Sequence, residues 1–553
     1  MSDSLATTSA TFPHTSDLSP ISLEKVEDLD EGPPPLSKAR RIGLLSIFCC
    51  AQFVDVYNAS AVVLATAPIA QDLSMGAGES VWTLSAYVLV FASFMLPMGK
   101  LADIWSAKAV FTIGLVWVGA FSIGIAVAQD KIVLFVLRAF AGLGAAASIP
   151  AALNLIVHIF PGEIEQHVAL ACFGGAGELA NVSGFILGGV LLLASWRWVF
   201  WLLPIVCFPM ALGTFFLIPS RKHLKMYQLA GLRREILEGS ERAEKILKAL
   251  EASEMSNKFD YVGTFLIVAA AVLSIFGLTD GGESAGWARA QPIVCLVIGL
   301  ILFPLFFLWE RRVDQRVALI PSSIWRIQNV TILVVVSLVP YFWWYGIQYN
   351  FANIMQEDWG VSPIMTAVRF LPISIGGGIM FIAIGYLPPS FVPLKIRMIV
   401  GALIAAVGTL LFVFAEGSSW YWKLVAPGMF IGSFGMAIVF LTANNSILMS
   451  VPPEYAGVVG GIFNACLQFG ACTGLAILGS IKSQFEDHSP SSSSSGGSAH
   501  GAILWEGYRA SFIFMTVLCV VLAGISAVWF KNPLVRVDAK EKGDVADVEG
   551  PRS

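Results

Sequence analysis

The chain has 553 residues, 56% of them hydrophobic and only 13% charged, with a formal net charge of −4 and a mean hydropathy of +0.75. A soluble globular domain carries about 25% charged residues, so the composition points away from that class and towards an all-α polytopic membrane protein. The small net charge gives no sign of a nucleic-acid partner.

Residues 1–37 are polar, acidic and rich in Ser, Thr and Pro, which predicts a disordered tail over 1–40 and no signal peptide. A membrane span needs about 20 apolar residues. Fourteen stretches qualify: 43–69, 81–99, 109–128, 132–158, 167–193, 197–218, 260–280, 290–309, 328–352, 362–387, 396–415, 421–449, 455–481 and 508–530. An even number puts both tails on one side. Lys38, Arg40, Arg41, Lys100, Lys108, Arg311, Arg312, Lys395 and Lys531 gather on that side, and the positive-inside rule makes it cytosolic. Between the sixth and seventh spans, loop 219–259 repeats Leu and Ile at helical spacing among Arg, Lys and Glu, an amphipathic segment expected to lie on the inner membrane face. Loop 483–505, with its serine run, is expected to be a flexible outside loop, and 531–553 a cytosolic tail. Asp260 and Glu310, at the cytosolic edges of spans seven and eight, are expected to be solvated. The eight cysteines all lie in apolar runs and none has metal-ligand spacing, so they are read as ordinary buried thiols and no metal is expected.

Within the fifth span, residues 173–190 combine six glycines with Glu178 and Asn181. Gly177, Gly184 and Gly188 share one helical stripe, the pattern that lets another helix come close. A mid-membrane carboxylate costs a few kcal/mol on insertion scales, about 2.5–3.5, and so asks for a function.

Four groups of residues then resemble the major facilitator superfamily. In the first span Asp55, Pro68 and Asp72 are similar to the acidic-to-proline signature of its fourteen-span drug:proton antiporter branch. In 82–108, Gly99, Asp103 and Lys108 match the loop motif G-x-x-x-D-x-x-G-R-R/K, with Ser106 in place of the glycine. Arg138, Gly142 and Gly144 resemble R-x-x-x-G-x-G. Gly184, Gly188 and Gly189 resemble the antiporter motif that ends G-P-x-x-G-G, with Phe185 where the proline stands. The length of the first-span signature and the run SWRWVFW at 195–201 look like the fungal aminotriazole-resistance type.

The resemblance implies two six-helix halves, 41–218 and 311–530, with two helices inserted at 260–310. It implies proton-coupled export of small organic compounds by alternating access, with Arg138 associated with proton transfer and Asp103 able to latch one access state or simply to cap a loop. It places the fifth span against the opposite half, so that its glycines would set how closely the halves meet. Arg138 either faces an anion inside the bundle or snorkels to the surface near Lys131.

Polar residues inside spans are the candidates for the central cavity. The first half offers Asp55, Asn58, Arg138, Asn154, Glu178 and Asn181. The second offers Trp344, Gln348, Asn350, Asn353, Arg369, Asn444, Asn445, Asn464 and Gln468. A desolvated carboxylate holds a proton more readily, so Asp55 or Glu178 is expected to carry the coupling proton while the second half binds cargo. No nucleotide-binding string, zinc spacing or nucleophile elbow occurs, so the expectation is a monomeric transporter, not an enzyme, with protons and a small molecule as partners and no cofactor. An importer, or a vacuolar carrier, of a nutrient, amino acid or iron chelate is the alternative to an exporter in the cell membrane.

Overall fold

The structure, a computed structural model, describes residues 36–76, 79–160, 163–219, 259–282, 286–315, 317–385, 392–451, 456–487 and 497–531. The expected N-terminal tail up to residue 35, the amphipathic segment (220–258), the serine run (488–496) and the C-terminal tail (532–553) lie outside them.

Helices α1 (Lys38–Asp72), α2 (Trp82–Leu101), α3 (Ala107–Val127), α4 (Lys131–Ile159), α5 (Glu163–Leu192) and α6 (Arg197–Leu217) form one half. Next come α7 (Tyr261–Gly281) and α8 (Ala290–Glu310). The other half comprises α9 (Val330–Asn353), α10 (Pro363–Arg369), α11 (Leu371–Gly385), α12 (Leu394–Val413), α13 (Ala426–Ser450), α14 (Ala456–Asp487) and α15 (Gly497–Trp529). Thirteen stretches of the described residues are long and apolar enough to cross a bilayer, and one of them, Glu79–Val127, has 49 residues. It contains both α2 and α3. A π-helical turn over Ala102–Ser106 joins them, and Ser106, whose backbone is extended, caps α3 by accepting from Ala109 N. All fourteen predicted spans therefore find a helix. The expected outside loop is shorter than its composition suggests, because 483–487 and 497–505 are helical.

The helix ends follow simple capping chemistry. Asp130 Oδ1 accepts from Ile132 N (2.8 Å) and Val133 N (3.1 Å) to start α4, satisfying amides that have no partner inside the helix.

Four pairings recur in both halves. α1 packs on α5 as α9 packs on α14; α2 on α4 as α11 on α13; α3 on α4 as α12 on α13; α3 on α6 as α12 on α15. The closest approaches repeat as well. A Cβ on Gly144 would stand 2.9 Å from Gly114 O, and one on Gly401 2.9 Å from Gly435 O. Backbone-to-backbone contact of this kind admits no side chain, which is how small residues bind helices to one another without a hydrophobic driving force. The inserted pair lies across the seam: α7 packs on α2 of one half and α14 of the other.

Candidate functional site

Arg138 lies two turns into α4 and is 0% exposed, which rules out the surface-snorkelling alternative. Its Nη1 donates to Asn58 Oδ1 (2.8 Å) and its Nε to the Thr83 carbonyl (2.8 Å). The guanidinium also sits over the rings of Tyr87 (4.8 Å) and Phe200 (5.7 Å). Burying a cation is costly unless it is bonded and faced by electron density, and these four contacts provide both. Among the described residues no carboxylate bonds to it. Asp55, one turn before Asn58 on α1, instead accepts from Tyr87 Oη at 2.6 Å. The ring of Tyr87 thus lies between the carboxylate and the guanidinium. Arg138 Nη2 and Asn58 Nδ2 are buried without a partner among the described residues. Helix α1, which carries Asp55 and Asn58, also packs on α9 of the opposite half. The structure therefore unites Asp55, Asn58 and Arg138 at the seam, with Tyr87 and the Thr83 carbonyl added. A tyrosine one turn beyond a threonine in an apolar run was the available signal for this pair.

Across the seam, Tyr341, Trp344, Phe381 and Phe463 all pack around Phe440, and Trp344 Nε1 donates to Ser433 Oγ at 3.0 Å. Gln348, Asn350, Asn353 and Gln468 are buried; both polar atoms of Asn350 and Gln468 Oε1 have no partner among the described residues. Other candidates are not brought in. Asn464 donates to Gly460 O of its own helix (2.9 Å), and Arg369 lies over Tyr421 (4.9 Å) and Trp359 (6.0 Å) at a helix end. Asn181 and Asn444 are partly buried and Asn445 is exposed. Glu178 belongs to α5, and its side chain lies outside the described residues.

The loop motif is built differently from a chain of ion pairs. Gly99 faces Pro150, Asp103 accepts from Asn154 Nδ2, and Lys108 Nζ donates to the carbonyls of Phe215 (2.9 Å) and Ile218 (2.6 Å) at the end of α6. A cation on terminal carbonyls is a helix C-cap. Lys108→Ala should lower the thermal stability of the purified protein by about 1 kcal/mol while Lys108→Arg preserves it.

Two expectations need correcting. Asp260 and Glu310 are not solvated; they are 6% and 3% exposed, and the chain returns after α8 so that Leu319 N donates to Glu310 Oε1 at 3.1 Å. The glycine stripe of α5 does not meet the opposite half. Gly177, Gly184 and Gly188 face Gln52, Ser60 and Ala61 of α1. The contact with the other half is made by Gly189, whose Cβ would stand 3.0 Å from Ile364, and by Phe185, whose ring stacks on Phe370 at 4.9 Å. At that same end Ser80 Oγ and Tyr349 Oη are 3.2 Å apart, bridging the halves. Towards the other end of α5, a Cβ on Gly174 or Gly175 would meet nothing within 4 Å.

Two repeats of six spans meet each other at one end, and a buried polar cluster lies between them. The chain belongs to the Major Facilitator Superfamily, whose sequence pattern matches residues 48–475. It is 26% identical over 502 residues to the puromycin resistance protein pur8 of Streptomyces alboniger, covering 88% of this chain and 91% of that one. It is 26% identical over 448 residues to a low affinity ammonium transporter of Saccharomyces cerevisiae, covering 79% and 78%. Among solved structures, a bacterial homologue of the human lysosomal transporter Spinster, in an inward-facing and unoccupied conformation, superimposes with a TM-score of 0.58 at 15% identity, covering 91% of this chain and all of that one.

Proposed function

We propose that the protein exports small organic compounds in exchange for protons, from the fourteen-span drug:proton branch of its family and of the aminotriazole-resistance type. The observation that carries the reading is Asp55, a carboxylate placed at the seam of the halves and bonded to Tyr87, whose ring covers Arg138. A carboxylate whose phenol partner can move with the seam gains and loses a proton as the cavity changes sides. The aromatic cluster around Phe440 and the unpartnered amides of Asn350 and Gln468 supply stacking and hydrogen bonds to cargo. Similarity to a puromycin resistance protein supports export of an amphipathic aromatic amine. The charge distribution supports a cell-membrane protein with both termini cytosolic and the closed end outside.

A second reading, uptake of ammonium or another small nutrient, is supported by the yeast relative. Inside-out vesicles containing the full chain separate the two. With the vesicle interior acid, export predicts puromycin accumulation that collapses when the gradient is dissipated. Accumulation of methylammonium but not puromycin, with the gradient reversed, would favour uptake.

A further inference from the structure

The first half carries two cations at its rim that the seam cluster does not use. Arg40, near the start of α1, donates from Nε to the Leu217 carbonyl (2.7 Å). Lys108, near the start of α3, donates from Nζ to the carbonyls of Phe215 (2.9 Å) and Ile218 (2.6 Å). Bonds to the carbonyls of consecutive residues, Leu217 and Ile218, set the two cations side by side at the end of α6. Their neighbour Arg41 has a carboxylate, Glu165. Among the described residues none bonds to Arg40 or Lys108. Donors also remain: an ammonium has three and a guanidinium five, which leaves one on Lys108 and the Nη groups of Arg40 for an anion.

One turn along α3 from Lys108, on the same stripe, a shallow groove begins, lined by Thr112, Ile113, Val116, Trp117 and Ala120. Ile113, Val116 and Ala120 are exposed, so the groove faces outwards. Its hydrogen-bonding side chains are already spent. Thr112 Oγ1 bonds to Lys108 O (2.8 Å) and Thr214 Oγ1 (3.0 Å), and Trp117 Nε1 donates to Phe140 O (2.8 Å). A groove with no polar group left to satisfy suits an alkyl chain and not a polar cargo. Its length agrees: Thr112 to Ala120 rises about 12 Å at 1.5 Å per residue, within one leaflet of a hydrocarbon core about 30 Å thick. Phe215 and Phe216 are exposed beside the cation pair, which puts it at the membrane surface.

We propose that these residues bind an anionic phospholipid of the leaflet at which α1 begins, its phosphate held by Lys108 and Arg40 and one acyl chain laid along α3 from Thr112 to Ala120. Basic pockets between membrane helices recognise such headgroups, and charge-assisted bonds to phosphate oxygens are the strong ones. A zwitterionic headgroup brings its own ammonium to the cation pair and gains less there. The lipid ties together the start of α1, the start of α3 and the end of α6, whichever cargo the protein moves.

The test is native mass spectrometry of the purified full chain, titrated with phosphatidylglycerol or with phosphatidylcholine of the same acyl chains. The unsubstituted protein should hold phosphatidylglycerol roughly tenfold more tightly. Arg40→Gln combined with Lys108→Gln keeps amide donors for the α6 carbonyls but removes both charges, and should abolish the preference. Lys38→Gln, at an exposed position of the same end, should leave it intact. Ala120→Trp fills the groove without touching the cations and should weaken phosphatidylglycerol binding severalfold. Equal affinity for the two lipids, or an undiminished preference in the double variant, would overturn the proposal, as would full-strength binding by Ala120→Trp. If the double variant does not fold, Arg40→Gln alone decides, and an unchanged preference counts against the site. Displacement of the lipid by glycerol phosphate at the lipid's own concentration would make this a receptor for free phosphate and overturn the docked chain.

Discussion

Arg138→Met is expected to reduce transport about a hundredfold, the rate equivalent of ~3 kcal/mol, while leaving the protein folded. Methionine occupies much of the arginine's stem volume, and the buried Asn58 Oδ1 it leaves unpaired costs about 1–3 kcal/mol, less than the stability of a typical domain. What it removes is the donor pair that holds Asn58 and the Thr83 carbonyl at 2.8 Å each, and the cation behind the Tyr87 ring. Tyr87 would then no longer be held between guanidinium and carboxylate, and its bond to Asp55 would lose its fixed direction. Arg138→Lys should fail nearly as badly, because an ammonium cannot reproduce the planar fork that reaches α1 and α2 together. Initial rates in proteoliposomes, with unfolding midpoints measured on the same preparations, check both statements. A lysine variant with normal rates would show that charge alone suffices.

Gly184→Leu is expected to prevent the first half from assembling. Its first added carbon would collide with Ser60 Oγ and stand 3.3 Å from Tyr57 Cα, and that of Gly188→Leu would stand 2.9 Å from both Ala61 Cα and Cβ. Overpacking of an ordinary core costs about 1–3 kcal/mol; here Ser60 Oγ could rotate away, but the α1 backbone at Tyr57 and Ala61 could not. Gly188→Leu should therefore impair folding as well as transport, because the glycine clamps α5 to α1 inside one half. Gly174→Leu is the control, since a Cβ there would meet nothing within 4 Å. Monodisperse yield by size-exclusion chromatography should separate the two classes. Equal yields for Gly184→Leu and Gly174→Leu would contradict the clamp.

Much of the architecture was legible because a bilayer imposes its own period: 20 apolar residues mark a span whatever surrounds it. Arg138 was legible as a functional position for the same reason, since an arginine deep in a span must be held from inside. Its partners were not. The sequence suggested an anion, whereas the structure supplies an amide, a carbonyl and two rings, and the carboxylate stands one tyrosine further away. Hydropathy cannot see Tyr87 as polar, because most of its surface is apolar. Asp260 and Glu310 were misjudged because a span edge looks solvated until the loop that folds back over it, through Leu319, is placed. The glycines of α5 announced a close helix contact, but a stripe carries no label for its partner. Phe185, where the resemblance supplied a proline, meets the other half through Phe370, beside Gly189.

The claim on which the functional account rests is that Asp55 couples the proton gradient to cargo movement. Asp55→Asn keeps the shape of the side chain and an oxygen for the Tyr87 hydroxyl, but cannot exchange a proton. In vesicles containing the full chain, this variant should still exchange labelled puromycin for unlabelled puromycin across the membrane at near-normal rates. Its accumulation driven by a pH gradient should fall at least tenfold, equivalent to about 1.4 kcal/mol of lost coupling. Undiminished gradient-driven accumulation by Asp55→Asn would contradict the account and move the proton to another carboxylate, Glu178 first.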